Sequence, residues 1–142
     1  MEANLSELPR PDGAMRVMVV DDDTDNADFL TTLLKTWGFA ARVAYTGSFS
    51  LKVAAEFQPE VFLLDLGMRN MDGFRLAENI LHHPLLGTST LIAITGYGDD
   101  SHRTRSKEVG FAHFFVKPVD IAGLEAVMRE IDRRRGDRPA AV

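Results

Sequence analysis

Val61-Phe62-Leu63-Leu64-Asp65 is a run of four apolar residues closed by a carboxylate, and its pattern decides the fold. A strand with one wet face alternates apolar and polar residues, whereas a strand that stays apolar throughout is covered on both faces, as in a parallel sheet between two helical layers. Val17 to Val20, followed by Asp21, Asp22 and Asp23, and Leu91 to Thr95 repeat the pattern. Ala40 to Ala44 and Phe114 to Val116 complete five runs of strand length. Helix-period segments separate them. Asp25 to Trp37 carries Leu30, Leu33, Leu34 and Trp37 at i, i+3, i+4 and i+7, with Gly38 as the stop. Further helices are expected from about Ser48 to Phe57, Gly73 to His82, Asp100 to Val109 and Asp120 to about Arg134. In the last, Asp120 is the expected N-cap, and Ile121, Leu124, Val127, Met128 and Ile131 share a face. Five β–α units in succession imply a doubly wound α/β fold with a five-stranded parallel sheet and right-handed crossovers.

Length and composition set the outer limits. A chain of 142 residues fits one domain. At 45% hydrophobic and 26% charged it is neither disordered, collagenous nor a coiled coil. Residues 1–15, with Pro9, Pro11 and Gly13, show no periodicity and are expected to form a flexible leader that packs little. The folded domain is expected over 16–135 and a flexible tail over 136–142, too short for an output domain. With no cysteine, disulfides, thiolate metal sites and cysteine nucleophiles are excluded. No run approaches the ~18 apolar residues of a membrane span, and the N-terminus lacks a signal-type stretch, so a cytoplasmic protein is expected, without membrane contact. The net charge of -5 argues against direct nucleic-acid binding. The dense basic run Arg133, Arg134 and Arg135 reads as a solvated helix end complementing the dipole.

Ligands of open α/β sheets bind at the carboxyl ends of the strands, so the residues that close each apolar run carry the chemistry. These are Asp21, Asp22 and Asp23, then Asp65, then Thr95, then Lys117 ahead of Pro118. Carboxylates brought together repel unless a cation sits among them, and hard oxygen donors with few protein ligands suit Mg²⁺. With that charge offset, Asp65 can act as a nucleophile toward phosphorus, while Lys117 and Thr95 hold phosphoryl oxygens.

Four separated motifs, Val19-Val20-Asp21-Asp22-Asp23, Leu63-Leu64-Asp65-Leu66-Gly67-Met68 with Met71-Asp72-Gly73, Ile94-Thr95-Gly96 and Phe115-Val116-Lys117-Pro118, closely resemble the receiver domain of two-component response regulators, over about residues 16–134. The resemblance implies a flavodoxin-like sandwich with strand order 2-1-3-4-5. It implies Asp65 as phosphoacceptor and Asp21, Asp22, Asp65 and the main-chain carbonyl of Gly67 as Mg²⁺ contacts. Thr95 becomes the hydroxyl that moves toward the phosphoryl group, Lys117 its ion-pair partner and Phe114 the aromatic switch. Gly67 and Tyr97 border the path of the hydrolytic water and tune the phosphoryl lifetime. The partners implied are a histidine kinase or histidine phosphotransfer protein, a downstream protein target, and a second copy across the fourth helix, fifth strand and fifth helix. Such a protein is no enzyme beyond its own phosphorylation and dephosphorylation. Two positions depart from the family: Arg69 stands where proline is usual, and Phe114 where tyrosine is common.

Other readings of the same residues remain. Asp21, Asp23 and Asp25 have calcium-loop spacing, but Asn26 and Thr32 stand where an EF-hand needs Gly and Glu. Thr24 or Asp25 reads as a helix cap, and His82-His83 as a polar helix end. A phosphohydrolase of haloacid dehalogenase type would use Asp21 and Asp23, with Asp25 standing where Thr or Val is needed. A receiver whose site has lapsed would act only as a binding module, should Arg69 block entry.

Overall fold

The computed structural model describes residues 13–69, 72–96, 98 and 100–136. Residues 1–12 of the expected leader, Met71 of the second motif, Tyr97 and the tail from 137 lie outside them. The strands are β1 (Arg16–Val20), β2 (Ala40–Ala44), β3 (Val61–Asp65), β4 (Thr90–Thr95) and β5 (His113–Val116). The helices are α1 (Thr24–Thr36), α2 (Gly47–Phe57), α3 (Gly73–Leu81), α4 (Asp100–Val109) and α5 (Ile121–Gly136). All pairings are parallel, in the order β2-β1-β3-β4-β5. This is the doubly wound architecture expected from the apolar runs.

Side chains alternate across the sheet, so the three central strands feed two cores. Met18, Val20, Phe62, Leu64, Leu91 and Ala93 pack with Ala54 and Phe57 of α2 and with Phe74, Leu76, Ala77 and Ile80 of α3. Val17, Val19, Val61, Leu63, Ile92 and Ile94 pack with Ala27, Leu30 and Leu34 of α1 and with Leu124 and Met128 of α5. The register pairs Val20 with Leu64 and Asp65 with Ile94, which brings the carboxyl ends of β1, β3 and β4 to one edge.

Local chemistry moves several boundaries. The cap of α1 is Asp23, whose carboxylate accepts from the Asn26 N–H, so Thr24 and Asp25 fall inside the first turn. Its C-terminus closes at Trp37, with Gly38 at φ +96° and the Phe39 and Gly38 N–H groups donating to the carbonyls of Leu34 and Lys35. Trp37 is therefore a half-buried cap rather than a full member of the buried face. The packed chain starts before Arg16: Met15 is 1% exposed and Ala14 lies against the core. Arg135 is no solvated helix end. It pairs with Glu60 and Asp132, and its guanidinium donates to the Gly13 carbonyl.

Candidate functional site

The edge where β1, β3 and β5 end carries the acidic cluster. Asp21 follows β1, and its N–H donates to the Ala44 carbonyl, continuing the ladder by one residue. Asp65 is the last residue of β3. Asp21 and Asp65 are 2% and 6% exposed, a depth at which carboxylates occur only when hydrogen-bonded or paired. Together with Asp22, each offers one carboxylate oxygen, and these three atoms lie within 4.8 Å of one another.

The partners of each group are specific. Asp21 Oδ1 accepts from the Asp23 N–H at 2.9 Å, and Oδ2 from the Asn26 side-chain amide at 2.6 Å. The Gly67 N–H donates to Asp65 Oδ1 at 3.0 Å. The Arg69 N–H donates to Asp22 Oδ2 at 2.9 Å. Lys117, just past β5, places Nζ 3.2 Å from Asp21 Oδ2 and 3.5 Å from Asp65 Oδ2. Its N–H donates to the Thr95 carbonyl, which fixes where the side chain leaves the strand. This geometry makes Lys117 part of the acidic cluster rather than a freely solvated side chain. Thr95 ends β4 fully buried, opposite Val116. Phe114 is half-buried on β5 beside Ala93, with the Arg103 guanidinium 4.7 Å from its ring centroid.

Burial raises the Asp65 carboxyl to about 6, and the Asp21 charge pushes the same way; the Gly67 N–H and the Lys117 charge pull against them. For Lys117, burial disfavours the charge, but Asp65 and Asp21 outweigh it and raise its pKa. Three carboxylates face one ammonium, an excess of negative charge in a partly dry site. The donor set, all hard oxygen with two members buried, fits a divalent cation of the Mg²⁺ type.

The loop after Asp65 is held by close packing. A Cβ at Gly73, the first residue of α3, would stand 2.6 Å from Leu66 Cα and 2.7 Å from the Asp65 carbonyl oxygen. Asp72 caps that helix by accepting from the Phe74 N–H. The Asp-Gly pair is thus explained by a cap followed by a backbone approach that tolerates no side chain.

The sequence-derived set of Asp21, Asp22, Asp65, Thr95 and Lys117 meets at one edge, with Gly67 two residues beyond Asp65. Phe114 precedes Lys117 by three residues and lies on the sheet face shared with Thr95. Sequence reasoning missed Asn26 as a partner of Asp21. The available signal was its place in the first turn of α1, five residues after Asp21, where an amide can reach back over the strand end.

The family model of the response regulator receiver domain matches residues 17–129. The chain belongs to this family. A response regulator, PleD of Caulobacter vibrioides, is 30% identical over 118 residues, which cover 83% of this chain and 26% of that protein. An uncharacterized 14.6 kDa protein from the sodA1 3' region of Leptolyngbya boryana is 33% identical over 106 residues, covering 75% of this chain and 81% of its own length. Among solved structures, the CheY-like receiver domain from Methanospirillum hungatei superimposes with a TM-score of 0.78 at 25% identity, over 87% of this chain and 98% of that one. The chain therefore spans only about a quarter of PleD but most of the smaller relatives. Family membership displaces the dehalogenase-type reading.

Proposed function

We propose that this receiver accepts a phosphoryl group on Asp65 from a phosphohistidine of a histidine kinase or histidine phosphotransfer protein. The observation that carries the reading is the Lys117 ammonium set between the two buried carboxylates, Asp21 at 3.2 Å and Asp65 at 3.5 Å, with Asp22 beside them. Asp21, Asp22, Asp65 and the Gly67 carbonyl would hold Mg²⁺, which when bound offsets the charge of the carboxylates and of the incoming phosphoryl oxygens. An Asp65 oxygen attacks phosphorus; the P–N bond breaks, its electron pair stays with the imidazole, and a mixed anhydride remains on Asp65. Lys117 serves as a point charge and Thr95 as a hydroxyl donor for the phosphoryl oxygens. Hydrolysis reverses the modification, at a rate set by the residues at positions 67 and 97.

The same reading assigns the output to α4, β5 and α5. Thr95 moves toward the phosphoryl group, Phe114 turns into the space behind it, and the two-state surface is read by a protein target, by onward phosphotransfer or by a second copy. The donor has a place to lie. A hollow of about 270 Å³ beside the carboxylates is bounded by Phe29 and Leu30 of α1 and by Pro118, Val119 and Ile121, with Lys117 in its lining. Phe29 is 55% exposed, which suits an apolar helix face. Among the described residues no helix is long and apolar enough to cross a membrane, and the proposal is a cytoplasmic protein that catalyses only its own phosphorylation and dephosphorylation.

Beryllofluoride with Mg²⁺, a mimic of the acyl phosphate, tests the switch. The amide spectrum is expected to shift at Asp65, Thr95 and Phe114 and along α4, β5 and α5. Shifts confined to the acidic edge would remove the output surface from the proposal, and no shifts at all would remove the acceptor site.

A further inference from the structure

The family's usual proline at position 69 has no N–H and cannot donate a hydrogen bond. In this chain the residue is Arg69, and its N–H donates to Asp22 Oδ2 at 2.9 Å. The bond therefore exists only because the chain departs from its family at this position. The other two carboxylates of the cluster also each accept from a main-chain N–H, Asp21 from Asp23 and Asp65 from Gly67. In both cases the donor lies two residues downstream, within the same turn. The donor on Asp22 comes instead from the loop after β3, 47 residues away, so it ties the β1–α1 and β3–α3 loops across the site. With it, all three carboxylates of the cluster have one oxygen fixed by backbone.

We infer that the Arg69 N–H is a positioning group that orients Asp22 for the divalent cation and holds the loop after Asp65 against the acidic pair. The inference rests on the cation site proposed above. Groups that hold a metal ligand by hydrogen bond typically contribute about 10–100-fold to metal affinity. Arg69 is exposed, and its positive charge, to the extent that it reaches the site, would oppose a cation.

Two variants separate these effects. Arg69→Ala and Arg69→Pro both remove the charge, and only the second removes the N–H. Titration calorimetry with Mg²⁺ at neutral pH is expected to give a dissociation constant at least about 10-fold weaker for Arg69→Pro than for Arg69→Ala. Equal constants, or tighter binding by Arg69→Pro, would overturn the inference while leaving the cation site standing. Absence of Mg²⁺ binding by the unmodified protein would overturn both. Should Arg69→Pro fail to fold by circular dichroism, amide exchange of the unmodified protein decides. The Arg69 amide is expected to exchange about 10-fold faster or more in Asp22→Ala, and to slow further in the unmodified protein as Mg²⁺ is added. An Arg69 exchange rate indifferent to both changes would overturn the positioning role.

Discussion

In the proposed role Asp65 must be buried, ionised and nucleophilic together, and its surroundings set the terms on which that is possible. Without metal its carboxyl is raised to about 6, first by burial and then by Asp21. A folded-state pKa above the unfolded one favours folding while the group is protonated. That contribution is complete below the unfolded value near 3.8 and is lost as pH rises through about 6. His113 acts in the opposite sense, because burial and then the Arg134 charge lower its pKa, so its contribution is lost as pH falls from 6.5. The readout is therefore a difference: metal-free protein minus metal-free Asp65→Asn, melted from pH 4 to 7.5, should lose stability with rising pH. A flat difference would show that Asp65 ionises without cost. Added Mg²⁺ should raise the melting temperature of the unmodified protein at pH 7.5 and leave Asp65→Asn nearly unmoved, in line with binding to the folded state only. Gly73 is constrained by space. Gly73→Ala sets a methyl against the backbone of Asp65 and Leu66, with an expected cost of about 1–3 kcal/mol in urea unfolding. A cost below about 0.5 kcal/mol, the ordinary range for surface changes, would mean that the loop after Asp65 yields freely.

Among the elements, α4 differs from its neighbours. Its sequence, Asp100 to Val109, contains one residue that is buried, Ser106, and one apolar residue, Val109, which is half-buried against the core; the rest is polar. Hydrophobic burial therefore does little to hold it. Two arginines hold it through aromatic rings on either side: Arg105 lies 4.2 Å from the ring centroid of Phe74 and 3.5 Å from Asp72, and Arg103 lies 4.7 Å from the Phe114 ring centroid. Exposed contacts of this kind contribute about 0.5–1 kcal/mol each. The expectation is that Arg103→Ala speeds amide exchange across α4 several-fold while β1 and β3 exchange as before. Exchange in α4 as slow as in those strands, in either protein, would contradict the account of a loosely held helix.

For the molecule as a whole, the sequence was most legible where burial is complete. β1, β3 and β4 are covered on both faces, so their apolar runs end sharply, and the residue that ends each run belongs to the proposed site: Asp21, Asp65 or Thr95. What stayed hidden depended on backbone donors or on three-dimensional neighbours. No side-chain pattern announces that the Arg69 N–H reaches Asp22, that Asn26 reaches back to Asp21, or that Asp23 outcompetes Thr24 and Asp25 as the cap. Met15 was masked by the proline and glycine before it, and Arg135 by the basic run that contains it. Arg135 belongs to a network at the far edge of the sheet, where Glu60 accepts from the Arg16 N–H and pairs with both Arg16 and Arg135. Glu60→Ala should cost about 1–2 kcal/mol of stability and leave phosphorylation of Asp65 intact, since the network lies at the opposite edge from the site. A loss of phosphorylation in a folded Glu60→Ala would show that the two edges are coupled.

The central claim is that Asp65 is a metal-assisted phosphoryl acceptor, and intact mass tests it most directly. Incubated with acetyl phosphate and Mg²⁺, the protein should gain the mass of one phosphoryl group, and the gain should vanish in Asp65→Asn and without the metal. A gain that persists in Asp65→Asn would place the acceptor elsewhere. No gain in folded protein, together with no response to beryllofluoride, would contradict the acceptor role.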